Sequence, residues 1–227
     1  GLSCDSSSGT GGAWDYLCAL AGLAEEAGVR LQLFCSPDGL AGLPKLPELA
    51  AQGHAVDLAM RLLGGCPVED IAQARAALQP SGSEGIRAAD AGRLGLQNLP
   101  ETQQALLQRG IGFSNSDYST KLPEGKAVGF ADKNAAMLIK HTQPRWYQSG
   151  LLEIPSAGYS DRDFFETLGR PMGEWTAHLR QCVDFAYDIG GLLYAPSLHL
   201  DVLLRHDPEM KTFATLSEHA NGKPTGK

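Results

Sequence analysis

Gly1-Leu-Ser-Cys-Asp-Ser-Ser-Ser-Gly-Thr-Gly-Gly12 is the stretch on which the fold turns. A short apolar run ends in Asp5, a polar and glycine-rich loop follows, and a helical pattern starts at Ala13. An acidic residue at the C-terminal edge of a first strand, opening into such a loop, is where α/β proteins place their chemistry. Asp5 reads equally as a helix N-cap or turn residue, because short polar side chains hydrogen-bond the local backbone. From these residues alone both readings stand.

Working outward, Trp14, Leu17, Cys18, Leu20, Ala21, Leu23 and Ala24 recur at helical spacing, and Gly28 ends that helix. Val29 to Phe34 alternates apolar and polar residues and reads as a second strand. Leu46 to Ala51 reads as a short helix and His54 to Leu58 as a third strand. A helix is expected from Pro67 to Leu78 and another from Glu101 to Arg109, capped by Gly110. Short strands are expected at Ile111–Phe113 and Leu151–Pro155, and a short helix at Asp163–Leu168. Glu174 to Ile189 is strongly amphipathic, with Trp175, His178, Leu179, Cys182, Phe185 and Ala186 on one face. A last strand is expected at Leu192–Ala195, with an exit loop to His199. After Asp207 the chain turns polar, and Asn221–Lys227 reads as a disordered tail. Strand–helix alternation of this kind means a parallel sheet or barrel. One domain over residues 1–207 and a polar tail over 208–227 are the expectation.

The chain of 227 residues is ordinary in its 43% hydrophobic and 20% charged content, which suits a globular protein with a real core. Its net charge of −7, without a cluster of Lys or Arg, argues against a nucleic-acid-binding surface. No apolar run is long enough for a membrane span, and no signal peptide is expected. Cys18 and Cys182 read as buried apolar residues, Cys4 and Cys35 as reduced strand-end thiols that could be neighbours. No Cys/His zinc spacing is present.

Several ordered segments resemble the polysaccharide deacetylase family, the NodB-homology carbohydrate esterases. Leu2-Ser-Cys-Asp-Ser6 stands where that family has T-F-D-D-G. Leu23-Ala-Glu-Glu-Ala-Gly-Val-Arg-Leu-Gln-Leu-Phe34 is similar to L-x-x-x-G-V-K-A-T-F-F, and Leu49-Ala-Ala-Gln-Gly-His-Ala-Val56 to I-x-x-x-G-H-E-I. Glu84-Gly-Ile-Arg-Ala-Ala-Asp-Ala-Gly92 resembles the R-x-P-x-G motif. Gly150-Leu-Leu-Glu-Ile-Pro155 and Gly190-Gly-Leu-Leu-Tyr-Ala-Pro-Ser-Leu-His199 stand for the later motifs, the last ending like L-x-L-H. The resemblance spans the chain to about Arg205.

It implies a distorted (β/α) barrel, and a site that hydrolyses an N-acetyl amide with a metal held by one Asp and two His. Asp5 then matches the catalytic base and His199 the acid that protonates the leaving amine. Arg87 matches the arginine that orients the base by ion pairing. The metal ligands do not carry over. Ser6, or Ser7 in a shifted pattern, replaces the second Asp, and Ala59 and Leu63 replace the two His. None of these carries a carboxylate or imidazole. His54 matches a structural His, and Asp57 is the coordinating side chain nearby. Trp146 and Tyr147 read either as a sugar-stacking platform or as packing residues, and His178 as a core histidine. His206 and His219 read as solvated.

No metal or other cofactor is therefore expected, and the partner is an N-acetylated glycan or a small amide. The first reading is a deacetylase-like domain without its metal, binding carbohydrate as a non-catalytic module. The alternative is an active amide hydrolase using Asp5, Arg87 and His199, in the manner of relatives that open cyclic amides such as allantoin without metal. A third is a metal-dependent deacetylase with ligands drawn from Asp5, Asp57 and His199.

Overall fold

Strand and helix alternate along most of the chain, and the strands line up in parallel. The computed structural model describes residues 2–4, 12–36, 46–59, 72, 76, 87–90, 99–116 and 143–222. In chain order the elements begin with β1 (Leu2–Cys4), α1 (Gly12–Glu26), β2 (Gln32–Cys35), α2 (Leu46–Ala51) and β3 (Ala55–Ala59). They continue with β4 (Ala88–Asp90), α3 (Pro100–Leu107), β5 (Phe113–Ser114), β6 (Arg145–Trp146) and β7 (Leu152–Glu153). A π-helical turn (Asp163–Thr167) then precedes α4 (Met172–Ile189), β8 (Leu198–His199), α5 (Leu200–His206) and α6 (Lys211–Asn221).

The sheet order is β6-β7-β5-β4-β3-β2-β1-β8. Each neighbouring pair is parallel except β6 with β7, an antiparallel hairpin at the edge. The register sets Leu2 opposite both Leu33 and Leu198, and Ser3 opposite both Phe34 and His199. Leu33, Cys35, Val56 and Leu58 pack in one core with Leu17, Leu20 and Ala21 of α1 and with Leu200 and Leu203 of α5. Alternation along a strand has a period of two. Phe34, Asp57 and His199 therefore face the other side of the sheet, away from the α1 layer. Cys4 and Cys35 are register partners, and Cys35 is buried.

A closed ring of strand ladders is not present among the described residues: β8 pairs only with β1, and β6 only with β7. Irregular chain brings the two ends together. The Ala157 N–H donates to the Ala195 carbonyl at 2.9 Å. The Gln143 side chain accepts from Leu193 N–H at 2.9 Å and donates to its carbonyl at 3.3 Å. Those bonds explain why Leu192–Ala195 is not the expected strand. Gly190 and Gly191 both have positive φ. The backbone groups of Leu193 are taken by a side chain, and the strand forms only past Pro196, at Leu198–His199.

α1 begins and ends near the expected positions, but its buried face is turned. Ala13, Tyr16, Leu17, Leu20, Ala21 and Ala24 are buried, whereas Leu23 and Cys18 are exposed. The stripe is centred on Tyr16 and Leu20 and leaves Cys18 outside it, so the expected burial of Cys18 does not hold. At Gly28 a φ of +69° lets its N–H reach Glu25 while Val29 N–H reaches Ala24, a helix stop that a side chain would strain. No helix among the described residues is long and apolar enough to cross a membrane.

The polar segment after Asp207 is not all tail. Lys211–Asn221 forms α6, and Asp207 caps it, its carboxylate accepting from Lys211 N–H at 2.8 Å and Thr212 N–H at 2.7 Å. The Trp175 indole N–H donates to Thr212 Oγ1 at 2.9 Å, and His219 Nε2 lies 2.8 Å from Asp184 on α4. His219 is therefore paired and half-buried, while His206 is exposed and stacks on Phe165 at 5.0 Å.

On α4, His178 sits among Tyr159, Phe164 and Trp175, with ring centroids 5.3 to 5.9 Å away. Burial pushes its pKa down from 6.5 to about 4. A proton that the unfolded chain accepts near pH 6.5 is refused by the fold. The stability that neutral His178 contributes is complete above pH 6.5 and is lost as pH falls toward 4. At about 1.36 kcal/mol per unit this is a loss of about 3 kcal/mol by pH 4. Urea unfolding at pH 7 and pH 4.5 should show the decline, and His178→Phe should flatten it. His54 adds to the same slope: burial is the larger cause lowering its pKa, and Nδ1 accepts from Leu31 N–H at 3.1 Å.

Candidate functional site

His199 is the last residue of β8, at the C-terminal edge of its strand. Its side chain is oriented by a residue from another element. His199 Nδ1 lies 2.6 Å from Asp161 Oδ1, and His199 N–H donates to Asp161 Oδ2 at 2.8 Å. Asp161 is completely buried, and its Oδ1 also accepts from Arg162 N–H at 2.8 Å. An Asp held by these donors requires a proton on His199 Nδ1, which leaves Nε2 to exchange a proton with something else. Nε2 makes no hydrogen bond among the described residues.

The Asp161 side chain is placed by the turn that follows β7. Ser160 Oγ accepts from Asp163 N–H at 3.0 Å and donates to its carboxylate at 2.8 Å, tying down the first residue of the π-helical turn. Phe164 and Phe165 of that turn are buried against Trp175, at 5.1 and 5.8 Å. Asp161 thus precedes a turn that is tied at its first residue and anchored in an aromatic cluster. Sequence reasoning missed this residue. Acids at a helix start are common for capping reasons, and its partner lies 38 residues away.

Asp5 follows the end of β1, outside the described residues. Arg87 immediately precedes β4 and is exposed; its backbone N–H donates to Asp57 Oδ1 at 2.9 Å. The same oxygen accepts from Ala88 N–H at 2.9 Å, and Gln32 Nε2 donates to Oδ2 at 3.0 Å. Asp57 is buried and its acceptors are spent on joining β2, β3 and β4. Its local role is that of a strand staple.

Trp146 and Tyr147 part company. Trp146 is 69% exposed on the edge strand β6. Tyr147 is half-buried against the core and turns its hydroxyl inward, donating to Glu153 Oε2 at 3.1 Å. Burial, then the Glu153 carboxylate, push the Tyr147 phenol up to about 12. Glu153 is fully buried and also accepts from the Ser114 hydroxyl, from Ser116 N–H at 2.8 Å and from Ser116 Oγ at 2.8 Å. These donors compensate a buried carboxylate that would otherwise be costly.

The described residues do not fit the metal that the resemblance implies. β3 ends in Ala59, whose methyl has no donor atom, and Ser6, Ser7 and Leu63 lie outside the described residues. Among the described residues no group of three His, Cys, Asp or Glu side chains converges as metal ligands do.

No protein-family model and no curated protein sequence matches the chain. Solved structures do. A crystal structure from Mycobacterium smegmatis assigned as a polysaccharide deacetylase aligns with a TM-score of 0.64 at 15% identity, over 92% of this chain and 71% of that one. A second such structure, from Pseudomonas aeruginosa PAO1, aligns with a TM-score of 0.64 at 16% identity, over 92% of this chain and 65% of that one. The fold is of the polysaccharide deacetylase, NodB-like type.

Proposed function

We propose that the chain is a hydrolase of carbon–nitrogen bonds in which His199, oriented by Asp161, donates the proton to the leaving nitrogen. The buried Asp161–His199 pair carries this reading. A carboxylate on Nδ1 both fixes the tautomer and stabilises the imidazolium, which a binding module has no need of. Asp5, by its resemblance to the family base, takes one proton from water as the oxygen attacks the amide carbon. His199 Nε2–H gives its proton to nitrogen as the C–N bond breaks, leaving a carboxylic acid on one side of the broken bond and an N–H on the other; a cyclic substrate opens to one molecule that carries both. Arg87 pairs with Asp5 in the same scheme. No step runs through a metal. Without a metal to acidify it, water stays a very weak acid at neutral pH, so a base alone favours strained or activated amides over a plain acetamide. The substrate is therefore a small, cyclic amide before an N-acetylated glycan. The distorted barrel is part of the same proposal, its seam running between the chain after β7 and the entry to β8.

The second reading is a non-catalytic carbohydrate-binding domain, favoured by the exposed Trp146 ring, which offers a face for sugar stacking. Protein freed of metal by chelation should hydrolyse cyclic ureides or imides, and His199→Gln should abolish that activity. Binding of chito-oligosaccharides without turnover of either substrate class would support the second reading instead. Restoration of deacetylation by added zinc would overturn both.

A further inference from the structure

Asp161 and His199 come from elements that no strand ladder joins, since β7 and β8 do not pair among the described residues. A ring of alternating charges lies across the same two elements. Arg162, next to Asp161, places one terminal nitrogen 2.8 Å from Asp201 Oδ1 and 3.0 Å from Oδ2. Asp201 is in the first turn of α5, just past His199. Arg205, one turn further along α5, contacts Asp201 at 3.3 Å and bonds Glu166 of the π-helical turn. Glu166 closes the ring, 3.6 Å from Arg162 Nε. That Nε is buried and has no hydrogen-bond partner, while the Arg162 side chain as a whole stays 32% exposed.

Resting on the proton-transfer reading above, we propose that Arg162 and Asp201 are positioning residues: their bridge locks the turn carrying Asp161 to the helix that continues from His199. Arg162 acts at both ends. Its main chain donates to the Asp161 oxygen that faces His199 Nδ1, and its side chain grips the element that carries His199. A free imidazole prefers its proton on Nε2, so a proton held on Nδ1 reports that Asp161 is in place. Partly exposed ion pairs of this kind add little to global stability, so positioning can be separated from folding.

The test is long-range ¹H–¹⁵N NMR of histidine-labelled protein at alkaline pH, with the His199 signal assigned by its loss in His199→Gln. Wild type should show the Nδ1–H tautomer. Arg162→Gln and Asp201→Asn should each shift His199 toward the Nε2–H form while the thermal midpoint stays close to wild type, and Arg162→Lys should restore the wild-type spectrum. If the substrate assay succeeds, the same variants should lose about 10- to 100-fold in kcat with KM unchanged, the scale of a small misplacement. A wild-type tautomer in both Arg162→Gln and Asp201→Asn would overturn the proposal. So would a change that appears only with general unfolding. The tautomer is readable without turnover. An inactive protein with the expected NMR pattern would sink the hydrolase reading and leave the positioning role standing.

Discussion

Asp161→Asn is expected to lower turnover by about 10²–10⁴-fold, the range that a positioned acid or base supplies, with little change in KM. The substitution is nearly isosteric, so it tests chemistry in preference to packing. Asp161 offers only acceptors: Oδ1 to His199 Nδ1 and Arg162 N–H, and Oδ2 to His199 N–H. An asparagine replaces one oxygen by an amide NH2 that can only donate. With its oxygen toward Nδ1, the amide faces the His199 main-chain N–H, donor against donor. Flipped, the amide donates to Nδ1, drives the ring proton to Nε2, and removes the partner that stabilises the imidazolium. Either arrangement spoils His199 as the acid. Steady-state kinetics on the best amide substrate, beside His199→Gln and the double variant, gives the check. The two residues act as a unit, so the double variant should fall no further than the worse single one. A wild-type rate in Asp161→Asn would remove the pair from the mechanism.

The residues that were legible in sequence are those whose structure is decided locally. β1 and β2 form near the expected places, and α1 follows from periodicity and the stop at Gly28, because it buries one regular face. His54 matches a structural histidine by resemblance alone, and it lies just before β3 with Nδ1 accepting from Leu31 N–H. The limits appear where distant residues decide. Cys18 is exposed because the α1 stripe is centred on Tyr16, whose hydroxyl reaches the Asp207 carbonyl 191 residues away. The last strand moved from Leu192–Ala195 to Leu198–His199 because Gln143 and Ala157, from the far side of the sheet, take the earlier backbone groups. In the site, His199 could be picked out by resemblance. Asp161 could not, since nothing in Ser160-Asp-Arg-Asp163 separates a capping acid from an imidazole partner. Asp57, which sequence offered as a candidate ligand, is occupied by the backbone donors of Arg87 and Ala88, at the start of β4, that only the fold brings to it.

Removing residues 208–227 should destabilise the protein by several kcal/mol, where a polar tail would be dispensable. α6 reads as weak by itself, and its worth lies in what it covers. Trp175 is fully buried, and truncation would leave its indole N–H without Thr212 Oγ1, a loss of about 1–3 kcal/mol for a buried unsatisfied donor. Leu216 would leave the cluster of Trp175, Phe164 and Phe165, and Phe213 the main core. The Asp207 carboxylate would lose both backbone donors. Trp175→Ala, which empties the centre of the same cluster, is expected to cost about 3–5 kcal/mol. Thr212→Val, which removes only the acceptor, should cost less, and Thr212→Ser should be close to wild type. Urea unfolding of the series gives the ranking. Phe164 and Phe165 lie three and four residues after Asp161 in the chain, so damage at Trp175 should reach the candidate site before the whole fold yields. Hydrogen exchange at amides 161–167 and at His199 should therefore rise in Thr212→Val under conditions where α1 and β2 stay protected. Uniform loss of protection across the protein would mean instead that α6 supports the core as a whole and has no particular hold on the Asp161–His199 pair.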